Sequence, residues 1–80
     1  MLPLIYHLQK VSFHYDSLFY QFFVIAEHPQ HAREIVAEHY YELDEDSKKD
    51  IELVILLSSS VQFIATLANN PNIIPCVLEV

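Results

Sequence analysis

The sequence predicts an all-α fold, a compact array of three to five short helices around a long, mostly buried helix at about residues 45–69. Three observations predict it. Apolar residues in the first third recur at alternating steps of four and three, the stripe of a helix. The chain has no Gly, which disfavours tight hairpin turns and leaves helices joined by Pro or Asn corners. Not one charged residue stands between Leu53 and Leu78, as expected where a central helix is surrounded by its neighbours. Eighty residues make a single domain, 1–80.

The first predicted element follows the stripe Leu4, Leu8, Val11, Tyr15, Leu18, Phe22 and Ile25. Pro3 suits a first turn, and Asp16 is placed to cap a second helix inside the stretch. A rival reading exists: Val11-Ser12-Phe13-His14-Tyr15 alternates apolar and polar and is rich in strand formers. His28-Pro29 is a corner that opens a helix over Pro29 to Glu42. Ala32, Ile35, Val36, His39, Tyr40 and Leu43 lie on one side of it, and Arg33, Glu34, Glu38 and Glu42 on the other. Asp44 is placed to cap the long helix, which is expected to run to Asn69-Asn70-Pro71, where Pro forbids extension. The tail from Asn72 is expected as a short helix or an extended arm, too apolar to be a free end.

Composition narrows function. Apolar residues make up 52% of the chain, more than an 80-residue fold can hide, since small domains bury only about 60% of their unfolded surface. The surplus is expected outside as an apolar patch, the usual mark of an interface. Eleven carboxylates against four Lys and Arg give a net charge of −7. That opposes direct contact with nucleic acid or an anionic membrane, and suits a partner with a basic or apolar surface. Without Gly, neither a phosphate-binding loop nor a dinucleotide fingerprint can be built. The lone Cys76 points to a reducing, cytoplasmic setting, and Met1 to His7 lacks the basic flank of a secretory signal. The run from Leu53 to Ala68 is sixteen residues with five polar ones among them, short of the about twenty that a membrane span needs.

The candidate sites are surfaces. Phe19, Tyr20 and Phe23, with Ile73 and Ile74 of the tail, are the expected apolar contact residues. Glu34, Glu38 and Glu42 form a row continued by Asp44, Glu45 and Asp46, the expected acidic contact. His28 and His31 with Glu27 and Glu34 have metal-ligand chemistry, but their spacing fits no closed site, so capping or solvated roles are expected. Ser58, Ser59, Ser60 and Cys76 stand beside no acid or base in sequence, so no catalytic residue, cofactor or metal is expected. The leading expectation is a small non-enzymatic protein-binding module (a subunit, adaptor or inhibitor), alone or as a homodimer. One alternative is an acidic mimic of nucleic acid that inhibits a basic binding protein, as a phage or mobile element could encode. The other is a small membrane-associated subunit using residues 53–68.

Overall fold

A computed structural model of the protein describes residues 5–40 and 45–78, leaving out the side chains of 45 and 46. It overturns the all-α expectation. The chain runs β1 (His7–Tyr15), β2 (Leu18–Ala26), α1 (Pro29–His39), α2 (Glu45–Ser58), β3 (Ser60–Thr66) and β4 (Cys76–Leu78). The strands form one sheet in the order β3-β1-β2-β4, and every neighbouring pair is antiparallel. The two helices pack on one face of it.

The first stretch is a hairpin because its burial alternates. Gln9, Val11 and Phe13 of β1 are buried, and the residues between them are not. The helical stripe would need Leu8 and Val11 on one side, whereas a strand places them on opposite faces. So many residues here are apolar that a helical template fits by chance. Their β-branched and aromatic character decides for the strand.

Asp16 caps no helix. With Ser17 it forms the two-residue loop between Tyr15 and Leu18, which face each other as the closing pair. Both loop residues have positive φ, 51° and 66°, the signature of a type I′ turn. Asp tolerates the left-handed region through local hydrogen bonding, and Ser is made to follow. The hairpin thus closes without the Gly that usually serves there.

α1 begins where Pro29 predicts. His28 is its N-cap, extended at φ −154°, and its Nδ1 accepts the His31 N–H at 3.1 Å. His31 reciprocates, its Nδ1 accepting the Glu27 N–H at 3.1 Å. Two donors at the helix start are thereby satisfied by imidazoles, as in a capping box. Ala32, Val36 and Ala37 face Ile51 and Ile55 of α2 and the sheet residues Val11, Phe13, Val24 and Ala26.

The long buried helix at about 45–69 does not form. α2 stops at Ser58, and Leu53 and Leu57 stand 56% and 77% exposed, so the helix is buried on one side only. Its end is a tertiary junction. Buried Ser59 donates its hydroxyl to the Ile55 carbonyl, and Arg33 of α1 donates to the Ser59 carbonyl at 2.9 Å and hydroxyl at 3.2 Å. Beyond it Val61, Phe63, Ile64 and Thr66 favour a strand. Among the described residues no helix is long and apolar enough to cross a membrane. The tail contributes β4, three residues paired with β2.

Candidate interaction surface

Strand register sorts the sheet into two sides. The helix side carries Gln9, Val11 and Phe13 from β1 and, opposite them, Val24, Phe22 and Tyr20 from β2. Gln9 is only 2% exposed there, and its Nε2 donates to the Ala26 carbonyl at 3.4 Å. Tyr20 packs against Phe13, with ring centroids 5.1 Å apart, and against Tyr40 at 5.6 Å. Tyr20 therefore does not join Phe19 and Phe23, its neighbours in sequence.

Among the described residues no helix lies over the other side, and the register reads across it in rows. Cys76, Ile25, Leu8 and Ala65 make a continuous apolar row over all four strands. Leu78, Phe23, Lys10 and Gln62 make the next, followed by Gln21, Ser12 and Ser60. His14 and Phe19 close the face near the turn, with rings 4.7 Å apart. Phe19 is 54% exposed, Phe23 37% and Leu78 39%, while Ile25, Leu8 and Cys76 are half-buried. No strand carries a carboxylate, so among the described residues of this face the formal charge comes from Lys10. A single lysine is far too little for binding by counterion release to nucleic acid. The face is an apolar and aromatic surface in an otherwise acidic chain.

The remaining predicted contacts lie elsewhere. Ile73 and Ile74 sit in the connection from β3 to β4, Ile73 half-buried beside Tyr6 and Asn70, and Ile74 65% exposed. Glu34 and Glu38 are exposed on α1 and line a shallow depression with Glu52 and Leu56 of α2. Glu42 and Asp44 fall outside the described residues, and Glu45 and Asp46 open α2 with side chains outside the description. A helical reading puts Leu8 and Ile25 on the apolar stripe and groups neither them nor Cys76 and Leu78 with the contact residues. Period-two alternation is the signal that would have grouped them with Phe19 and Phe23.

No protein-family model, curated protein or solved structure matches this chain. The surface itself therefore carries the functional reading. Ser59 is buried and tied to Ile55 and Arg33, Cys76 lies among apolar neighbours on the open face, and His28 and His31 turn a ring nitrogen to the backbone. Among the described residues no three His, Cys, Asp or Glu side chains are placed to hold a metal ion.

Proposed function

We propose that this chain is a non-enzymatic protein-binding module whose contact surface is the helix-free face of the sheet. The observation that carries the reading is the row of apolar side chains across four strands, with Phe19, Phe23 and Leu78 standing out from it into solvent. A sheet with one covered side normally turns polar residues outward on the other. Here that alternation fails at Leu8, Phe19, Phe23, Ile25 and Leu78, and exposed aromatic rings on a rigid sheet are the usual anchors of a protein interface. Among the described residues the carboxylates sit on the helices and in turns and connections, off the open face, where they favour solubility.

Capture from the protein's own cells tests this with three baits: wild type, Phe19→Glu with Phe23→Glu, and Leu57→Glu as a control on the helical side. A partner held by wild type and the control, and lost with the double variant, supports the reading. A partner held equally by all three, or retained by the sheet variant and lost with Glu34→Ala and Glu38→Ala, overturns it in favour of another surface.

A further inference from the structure

The two edges of the sheet are built differently. β4 has three residues and follows Pro75 directly, and shortness and Pro both guard an edge against stray pairing. β3 has seven residues, Ser-Val-Gln-Phe-Ile-Ala-Thr, with no charge, no Pro and no Gly. Its Phe63 and Ile64 are 59% and 41% exposed. An uncharged, strand-favouring edge of this length, with no second strand beside it among the described residues, is a template for another strand. The one irregularity is a bulge at Ile64, between Phe63 and Ala65, which leaves Ser60 to Phe63 in regular register with β1.

We propose that β3 is a pairing strand, through which two copies of this chain join edge to edge so that their four-stranded sheets become one. The segment is complementary to itself. Val61 and Phe63 pair in register with Val11 and Gln9 and so lie on the helix side, while Gln62, opposite Lys10, lies on the open side. Antiparallel pairing centred on Gln62 sets Val61 against the partner's Phe63, and Phe63 against the partner's Val61. The Gln62 amides then meet on the open face. A two-fold axis through that point keeps the helices of both copies on one side, the closed symmetry of a dimer.

Charge selects the same place. Each chain carries −7, yet β3 carries nothing, and the ionisable residues opposite it are Lys10 and His7. Two copies approaching through their helices would bring the carboxylates of Glu34, Glu38 and Glu52 together; here they do not. The proposal is independent of the open-face reading, because it uses the sheet's rim and the exposed Phe63 rather than Phe19 and Phe23.

Light scattering behind a sizing column, run on the purified chain over a range of concentration and salt, tests it. The expected mass is twice the 9.3 kDa of one chain. Dimerisation should tighten on the order of tenfold between 0.03 and 0.3 M salt, as screening weakens repulsion between two acidic chains. Gln62→Lys and Gln62→Glu each set like charges directly opposite and should give monomers, while their mixture should restore the dimer. Because Gln62 is exposed, both should keep the circular dichroism spectrum of wild type, while melting lower through loss of the dimer and, for Gln62→Lys, through the Lys10 opposite it. Phe63→Ala should weaken the dimer roughly tenfold by removing two cross-strand pairs, and Phe23→Glu should leave it intact. A wild type that stays monomeric, a dimer that survives both Gln62 variants, or a mixture that stays monomeric overturns the proposal.

Discussion

Ser17→Gly should stabilise this protein, and the reason lies wholly in the hairpin turn. Ser17 sits at φ 66° in a two-residue loop whose closing pair, Tyr15 and Leu18, leaves no room for another backbone path. Holding an L-residue with a Cβ in the left-handed region costs roughly 1–2 kcal/mol. Gly removes that cost and returns about 0.5–1 kcal/mol of it through the greater freedom of the unfolded chain. The net gain is about 0.5–1 kcal/mol. For a domain of this size that corresponds to a rise in Tm of about 2–8 °C. Asp16→Gly should gain less, since Asp already tolerates φ 51°. Ser17→Val should lose more than 1 kcal/mol or so, because a β-branched side chain clashes hardest there. Thermal unfolding followed by circular dichroism measures all three. A Ser17→Gly protein that melts below wild type, or a Ser17→Val protein that melts with it, would refute the type I′ assignment.

Three further outcomes follow from the packing. His28→Ala removes the acceptor for the His31 N–H and should cost about 1 kcal/mol in urea unfolding, while His28→Asp should recover it; equal stability for all three would deny the cap. Arg33→Met strips the Ser59 carbonyl and hydroxyl of their donor and should cost about 1–3 kcal/mol, with Arg33→Lys restoring only part because an ammonium lacks the fork; full recovery by Lys would show that charge alone matters. Ile55→Ala should cost about 2–5 kcal/mol and Leu57→Ala within about 0.5 kcal/mol, because Ile55 is fully buried and Leu57 is 77% exposed; comparable losses would restore a helix buried all round.

α1 is legible in the sequence because its signals agree. Pro29 opens it, one apolar side faces one charged side, and the helix of Pro29–His39 lies inside the predicted span of 29 to 42. Residues 7–26 are not legible, because an almost continuously apolar stretch satisfies a helical template and a strand template alike. The alternation Val11-Ser12-Phe13-His14-Tyr15 is the local clue that points correctly. The turn hides too, since Asp16 and Ser17 do without Gly what most such loops do with it. At the end of α2 the stop is not local: Ser59 is held by Arg33, 26 residues earlier in sequence, a contact no short window contains. Phe19 and Phe23 are four apart and share a side whether the chain is helix or strand, while Tyr20 next to Phe19 falls to the opposite face in a strand. That parity separates it from the other two.

Because β1 and β2 occupy the middle of the sheet, its centre is encoded in the first 26 residues and both of its flanks come from beyond residue 59. Until β3 and β4 are in place, a hairpin of β1 and β2 alone presents two open rims rich in Phe, Val and Ile. The hairpin is therefore only half a sheet, and its rims are covered by segments that enter the chain after both helices.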